Sequence, residues 1–227
     1  MMIKKYNNNY VDKIKIDTDK YLLDKTNNIY IRTFLEIPLL NVQEGKEIGI
    51  IMMNPSYADK TASDKTVNLV IDFFVNYNKK KNKKEQKIKK ITILNLFPIC
   101  SSDPREAYEY LRILHSKNQL NRVMKNNLLK LKNKMVDFEY IVLAWGLPPE
   151  GTIPYLWLHQ KSLQVIRYSE KNNVNMYVFK VNDTSTLLRK TGDPRHPAGM
   201  RGENQYLSRL VQVTRNNLYG ISGQQLH

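Results

Sequence analysis

Four short apolar segments alternate along the chain with longer stretches in which apolar residues recur at helical spacing. The first of them, residues 48–53, is an uninterrupted apolar run, which is typical of a strand covered on both faces of a sheet. In the longer stretches, apolar residues every three or four positions predict helices, and Ser63 or Asp64 is suited to cap the first one. The predicted strands cover residues 48–53, 91–97, 140–145 and 175–181, and the predicted helices cover residues 64–78, 105–115, 117–133 and a stretch that begins near Pro154.

Strands that alternate with helices predict right-handed crossovers and a parallel sheet with helices on both faces. Before them, two β-rich runs within residues 19–37 surround Thr26-Asn27-Asn28, which predicts a hairpin because Asn tolerates left-handed turn geometry. The predicted fold is therefore α/β, a three-layer αβα architecture with a central four-stranded, mainly parallel sheet plus an N-terminal β-hairpin. We expect one domain over residues 1–227, with an N-terminal extension (1–45), a core (46–216) and a tail (217–227).

The composition excludes several classes of protein. With 227 residues, of which 41% are hydrophobic, the chain can form one domain with a substantial core. No apolar run approaches the ~18 residues that cross a bilayer, so we expect neither a membrane span nor a membrane partner. Cys100 is the single cysteine and the four histidines are scattered, which predicts no disulfide and no metal centre. The first residues lack the apolar stretch of a secretory signal, so we expect a cytoplasmic protein.

The chain is strongly basic, with 36 Lys and Arg against 21 Asp and Glu and a formal net charge of +15. Inside a cell the usual polyanionic partner is nucleic acid. The alternative is a solvated lysine-rich surface, since the chain is rich in Lys and Asn together. Eight lysines between Lys79 and Lys90 leave the same choice open, between a solvated loop and an arm that faces phosphates.

Polar residues follow each predicted strand, at the place where open α/β sheets bind their ligands. Asn54-Pro55-Ser56 ends the first strand, Asn95 lies at the end of the second, and Trp145-Gly146 ends the third. A loop rich in Pro and Arg, residues 193–201, comes after the fourth. We expect these four segments to converge on one cleft. The sequence has no glycine-rich dinucleotide fingerprint and no P-loop, so we expect no cofactor.

Over about residues 48–200, the order of these segments resembles the uracil-DNA glycosylase superfamily. Met53-Asn54-Pro55-Ser56 is similar to the motif that holds the attacking water there, and Ile93-Leu94-Asn95 to the strand whose Asn reads the uracil edge. Val142-Leu143-Ala144-Trp145-Gly146 and His196-Pro197-Ala198 are similar to two further motifs. Residues 54–59 and 194–197 also resemble an uncharacterised bacterial family that we place in this superfamily.

The resemblance implies that a base is extruded from DNA into a pocket, where its Watson–Crick edge is read. It assigns Asn54 and His196 to catalysis, with the imidazole donating to the carbonyl oxygen that gains negative charge. Asn95 would read the base, although a strand-end Asn also commonly satisfies local backbone groups. The implied base pocket is Pro55, Ser56, Tyr57 and Asn95, and the implied DNA contacts are Arg195 and Arg201 on phosphates and Met200 as an apolar wedge.

Several departures from the superfamily pattern argue against efficient cleavage. Asn54 replaces an aspartate of the most active branch, and an amide cannot act as a general base. Ala198 replaces a serine, and Tyr57 is the nearest substitute for a missing stacking aromatic. Asp59 and Asp64 could supply a base if the loop after Ser56 folds back; otherwise they are turn and capping residues.

The sequence therefore predicts a uracil-DNA-glycosylase-like DNA-binding protein with a base-sized pocket, in which uracil excision is weak or lost. The first alternative is an active DNA glycosylase that hydrolyses the N-glycosidic bond of a deaminated, mismatched or modified base. A second is an RNA-binding or nucleotide-processing protein with a similar sheet. Single- or double-stranded DNA is the expected partner, and an acidic, DNA-mimicking uracil-DNA glycosylase inhibitor protein is a further candidate.

Overall fold

The computed structural model describes residues 4–182, 186–198 and 206–219, and within them it contains seven strands and five α-helices. Two single 3-10 turns lie at Lys13–Lys15 and Lys84–Gln86. The strands are β1 (Asp17–Asp24), β2 (Ile29–Pro38), β3 (Lys46–Met52), β4 (Ile88–Asn95), β5 (Tyr140–Leu143), β6 (Asn175–Val181) and β7 (Leu207–Val213). The helices are α1 (Lys65–Lys79), α2 (Pro104–Ser116), α3 (Leu120–Met135), α4 (Tyr155–Lys171) and α5 (Arg215–Tyr219).

All seven strands form one mixed sheet in the order β1-β2-β4-β3-β5-β6-β7. The four central strands are parallel, whereas β1, β2 and β7 pair antiparallel at the two sides. The α/β prediction is confirmed. The prediction of a four-stranded sheet of the uracil-DNA glycosylase type was wrong, because the described residues form seven strands.

The three additional strands have identifiable physical origins. The predicted hairpin is confirmed, with Asn28 in the left-handed region at φ 52°. Its second strand does not stand apart from the sheet: β2 pairs with β4, with Phe34 opposite Leu94. At the other side, β7 pairs with β6 and is half-buried or exposed at every position before Val213. The four predicted central strands were recognised by their mainly apolar runs, a pattern that β7 does not show.

Helices cover the two faces of the sheet unequally. On one face, α1 packs Val67, Val70 and Phe74 against Ile48 and Ile50 of β3. On the opposite face, α2, α3 and α4 pack around the largest apolar cluster, which includes Leu111, Leu131 and Val165. Among the described helices none is long and apolar enough to cross a membrane.

The chain reverses its direction of winding between β3 and β5. From β3 the chain passes through α1 to β4, which lies on one side of β3 in the sheet. From β4 it passes through α2 and α3 to β5, which lies on the other side of β3. The loops that leave β3 and β5 therefore diverge at the carboxyl ends of these two neighbouring strands. Such a switch point is the usual ligand site of an open α/β sheet.

Candidate functional site

A cavity of about 150 Å³ lies at the carboxyl edge of the sheet, beside this switch point. The loops after β3 and β4, the start of α1 and the His196 loop form its walls, and an exposed serine, Ser102, lies at its edge, so the cavity opens to solvent there. We call it the carboxyl-edge cavity and define it by six of its polar lining residues: Arg32, Asn54, Ser56, Asp64, Ser101 and His196.

Asn54 holds two loops together at the floor of the site. Its side-chain Nδ2 donates to the carbonyl of Ser101 at 3.0 Å and more weakly to that of Pro55 at 3.3 Å. The Ser101 amide in turn donates to the Pro55 carbonyl at 2.8 Å. Because Nδ2 is engaged with carbonyls, the group that Asn54 can offer a ligand is its Oδ1 acceptor.

The loop after Ser56 folds back and brings Asp64 into the cavity wall. The Ser56 hydroxyl donates to Asp64 Oδ2, and Asp64 Oδ1 accepts the Val67 amide at 2.8 Å, which caps the start of α1. Asp59 instead forms a turn, in which Oδ1 accepts from the Thr61 amide and hydroxyl. The capping and turn predictions are therefore confirmed, and Asp64 in addition supplies a carboxylate to the cavity.

His196 enters the cavity on a loop anchored by a buried carboxylate. Asp193 accepts hydrogen bonds from Trp145 Nε1 at 3.1 Å, the Tyr155 hydroxyl at 3.0 Å and the Thr191 hydroxyl at 2.7 Å. The loop also packs on Gly146, which follows β5 at φ +69°. The predicted convergence of the Trp145-Gly146 and His196 segments is thus present in the structure.

The imidazole of His196 is neutral at physiological pH. Burial lowers its pKa to about 4, and the nearby Asp64 carboxylate opposes this shift only partly. Nδ1 accepts the Ala198 amide at 3.1 Å, so in the neutral ring the proton is on Nε2. His196 therefore offers one N–H donor.

Sequence reasoning missed Arg32, the cation of the cavity. It lies on β2, is 2% exposed, and donates from Nη1 to the Ala58 carbonyl at 2.6 Å. Within the described part of the chain, its Nε is buried without a hydrogen-bond partner and no carboxylate lies within ion-pair distance. Burial lowers the pKa of this guanidinium, but arginine stays charged in proteins. The sequence feature that could have revealed Arg32 is an arginine within a mainly apolar segment, Ile29 to Ile37.

Asn95 lies beside the cavity rather than in its lining. It is opposite Met52 in the β3–β4 register, and Met52 does line the cavity. Both side-chain amide atoms of Asn95 are buried without a partner among the described residues, while its carbonyl accepts from Asn127 Nδ2 at 2.9 Å. The predicted group of Asn54, Asn95 and His196 is therefore brought together only in part.

The remaining predicted site residues lie apart from the cavity lining. Pro55 is buried and contributes its carbonyl to the loop contacts described above. The Tyr57 hydroxyl is 3.5 Å from Glu106, and the side chain of Arg195 binds the carbonyl and hydroxyl of Thr186. Met200 and Arg201 lie outside the described residues, so their predicted contacts with DNA stay predictions.

The described residues contain no group of three or more His, Cys, Asp or Glu side chains that could hold a metal ion. The polar lining of the carboxyl-edge cavity instead offers hydrogen-bond donors from Arg32 and His196, an acceptor from Asn54 and one carboxylate, Asp64. This set suits a neutral or partly negative ring that carries carbonyl groups.

The chain belongs to the family described as "Protein of unknown function (DUF1643)", which matches residues 39–198, more than half of its length. No curated protein and no solved structure matches the chain. The family finding overturns the assignment to the uracil-DNA glycosylase superfamily, which was wrong. The motifs behind that assignment are short, and Asn, Pro, Trp-Gly and His-Pro are all chemically suited to strand ends of any open α/β sheet.

Proposed function

We propose that the protein binds DNA and receives one pyrimidine-sized base in the carboxyl-edge cavity, without efficient cleavage of its glycosidic bond. This proposal is supported by the chemistry of the cavity and by the charge of the chain, which is +15. The observation that carries it is the buried guanidinium of Arg32 at a small cavity, because a buried charge without an ion-pair partner is expensive to keep. A ligand that carries acceptors would satisfy it.

The size of the cavity fits a single six-membered ring. An apolar cavity of about 150 Å³ accommodates benzene, and the carboxyl-edge cavity has the same volume, about 150 Å³. A pyrimidine extruded from a stack is a ring of this size, and an enzyme or binding protein that extrudes it compensates a cost of roughly a few kcal/mol.

The polar groups suit the edge of a keto pyrimidine such as uracil or thymine. That edge presents acceptor, donor and acceptor in turn. Arg32 and the Nε2–H of neutral His196 are donors for carbonyl oxygens, and Asn54 Oδ1 is an acceptor for the ring N–H. A cytosine edge, with one donor amino group in place of a carbonyl, matches these groups less well.

Two features argue against efficient cleavage. The amide of Asn54 cannot take a proton from water, and its Nδ2 is engaged with the Ser101 carbonyl. Both carboxylate oxygens of Asp64 already accept hydrogen bonds, one from the Ser56 hydroxyl and one from the Val67 amide.

The same Asp64 favours a second candidate, an active hydrolase of the N-glycosidic bond. Its carboxylate lies in one wall of the cavity with His196, whose pKa it influences. In this reaction Asp64 would take a proton from the attacking water while Asn54 positions it. His196 would donate a hydrogen bond to the departing base.

Equilibrium binding tests the first candidate. Matched duplexes and otherwise identical duplexes carrying one uracil or thymine mismatch would be titrated with the wild type, with Arg32→Met and with Arg122→Met. Arg122 is an exposed arginine of α3, so its variant loses the same charge away from the cavity. We expect the wild type and Arg122→Met to prefer the mismatched duplexes, and Arg32→Met to lose the preference. Equal preference in all three proteins contradicts the proposal.

Alkaline cleavage of abasic sites separates the two candidates. Single strands and duplexes that carry uracil, thymine mismatches or modified bases would be incubated with wild type, Asp64→Asn and His196→Gln. We expect no more strand scission than in a mock incubation. Scission by the wild type that disappears in both variants would replace the binding function with the hydrolase.

A further inference from the structure

The sheet face that carries α1 is incompletely covered. An α-helix with its side chains is about 10–12 Å wide, and neighbouring strands are about 4.8 Å apart, so one helix covers roughly two strands. Here α1 lies over β3, and its Phe73 and Phe74 reach Phe179 of β6. Further along the sheet, Tyr177 of β6 and Leu207 and Leu210 of β7 are only partly buried on this face.

A groove of about 1030 Å³ follows this uncovered part of the sheet. It lies between the second half of α1 on one side and the strands β5, β6 and β7 on the other. We call it the sheet-face groove and define it by six of its residues: Tyr77, Lys80, Lys81, Tyr140, Tyr177 and Arg209. Its position on the flank of α1 separates it from the carboxyl-edge cavity, which lies at the start of the same helix.

The floor of the groove is aromatic. The rings of Tyr140 and Tyr177 are 4.8 Å apart between centroids, and Tyr77 lies 6.4 Å from Phe73 on the helix side. Tyr177 is only half-buried, so part of its ring lies open in the groove. Partly exposed aromatic rings on a sheet face are platforms on which unstacked bases stack.

The rim of the groove is positively charged. Lys79, Lys80 and Arg209 are exposed, and the Nζ of Lys81 lies 4.7 Å from the centre of the Tyr77 ring. Among the described lining residues Glu139 is the one carboxylate, and Lys46 pairs with it at 2.6 Å. The groove therefore presents several cations that no carboxylate of its own lining neutralises.

We infer that the sheet-face groove binds single-stranded nucleic acid, with the phosphates along Lys79, Lys80 and Lys81 at the end of α1 and the bases on the half-buried ring of Tyr177. An aromatic floor beside a cationic rim is the combination that single-strand binders use, because every base can stack and every linkage carries a negative charge. The first three lysines of the run that begins at Lys79 would then bind the phosphates. This inference does not rest on the proposed base pocket, because it depends on other residues.

Fluorescence anisotropy with short oligothymidylate and oligouridylate, over a series of salt concentrations, tests the inference. The groove variant replaces Lys79, Lys80 and Lys81 with Gln. The control variant replaces Lys25, Lys125 and Lys171 with Gln, which removes the same charge from three exposed lysines elsewhere. Tyr177→Ala removes a stacking ring, and Tyr177→Phe keeps it.

We expect the groove variant to lower the slope of log affinity against log salt by about 2, since each lost single-strand phosphate contact removes about 0.7. The control variant should keep the wild-type slope. Tyr177→Ala should weaken binding by about tenfold and Tyr177→Phe by much less. Thermal melting of each variant checks that it is folded. The oligonucleotide that binds more tightly identifies DNA or RNA as the source of the strand.

Several results would overturn the inference. Equal loss of affinity in the groove and control variants would show that binding depends on overall charge alone. Wild-type affinity in Tyr177→Ala would show that no base stacks on this ring. Tight binding of inorganic polyphosphate that is unchanged in Tyr177→Ala would identify a polyphosphate surface instead. A dimer that disappears in Tyr177→Ala and excludes the oligonucleotide would assign the groove to a second copy of the chain.

The two proposals fail separately. Combining Arg32→Met with the groove variant shows whether the lysine effect persists without the cation of the cavity, because independent sites give additive changes in binding free energy. A lysine effect of the same size in both backgrounds supports a groove that acts by itself. An effect that vanishes in the Arg32→Met background overturns it.

Discussion

Gly146 and His196 pack so closely that a methyl group on Gly146 would lie 2.7 Å from the Cβ of His196. Gly146 also has φ +69°, a conformation that disfavours any side chain. The strand end after β5 thus positions the imidazole of the carboxyl-edge cavity through backbone shape. His196 depends for its place on the absence of a side chain at Gly146.

Gly146→Ala should therefore displace His196 as well as strain the backbone. Gly151→Ala is the matched control, because Gly151 has φ +72° and no atom within 4 Å of an added Cβ. We expect the control to cost about 1 kcal/mol of unfolding free energy from backbone strain. Gly146→Ala should cost roughly 1–3 kcal/mol more, from overpacking. Urea unfolding measures both. Equal losses of unfolding free energy in the two variants would show that the His196 loop moves away from the added methyl group without cost.

Asp193→Ala should destabilise the protein strongly. The carboxylate is fully buried and accepts three hydrogen bonds, from Trp145, Tyr155 and Thr191. Its loss leaves the buried Trp145 Nε1 without an acceptor, which costs about 1–3 kcal/mol, whereas Tyr155 and Thr191 are exposed and can bond to water instead. Asp103→Ala, which removes an exposed helix cap, should cost only about 1 kcal/mol. Chemical denaturation compares the two, and similar losses would contradict the anchoring role of Asp193.

Arg32→Met should leave the unfolding free energy unchanged within about 1 kcal/mol, or raise it. Replacing a buried charge with an apolar side chain of similar length removes a desolvation cost. The Ala58 carbonyl loses the 2.6 Å hydrogen bond from Nη1, which offsets part of the gain. A measured loss of several kcal/mol would make Arg32 a structural residue and would remove the main support for a ligand at this side chain.

The stability of the protein should fall as the pH is lowered from about 6.5 to about 4. In the folded state burial lowers the pKa of His196 to about 4, whereas the ordinary value is 6.5. Between these values the unfolded chain binds a proton that the folded chain does not, so unfolding is favoured by acid. The full difference corresponds to at most about 3 kcal/mol.

His196→Asn provides the comparison for this pH dependence, because the amide does not titrate. Urea unfolding of both proteins between pH 4 and pH 7 should show a steeper acid loss for the wild type. Parallel curves for the wild type and the variant would mean that His196 is not buried as a neutral ring. The depressed pKa of Asp59, about 2, affects stability mainly below pH 4 and does so equally in both proteins.

Strand-end reasoning from the sequence located the cavity but not all of its lining. Asn54, Ser56 and His196 were found because fully apolar strands are easy to recognise and their carboxyl ends must meet at one edge of a parallel sheet. Arg32 was missed, because no local pattern shows that β2 pairs with β4 and so brings this side chain to the cavity. Asn95 was placed in the pocket because it ends a strand, yet its side chain lies beside the cavity.

Element boundaries differ from the sequence predictions where loops compete with regular structure. The strand predicted to reach Trp145 ends at Leu143, although the Ala144 amide still donates to the Ile51 carbonyl of β3 at 2.8 Å. The side chain of Trp145 is bound instead by Asp193, which is distant in sequence. The helix predicted from Lys117 begins at Leu120, because Asn118 takes a left-handed φ of 57°. Such contacts depend on partners distant in sequence, so local periodicity does not reveal them.

The only positively charged side chain in the carboxyl-edge cavity, among the described lining residues, comes from outside the family's matched region. Arg32 lies on β2, ahead of residue 39, whereas Asn54, Ser56, Asp64 and His196 lie within residues 39–198. The pocket is thus a composite of a shared framework and a neighbouring strand. Substitutions on that strand can retune what the framework accepts while every residue of the shared segment stays as it is.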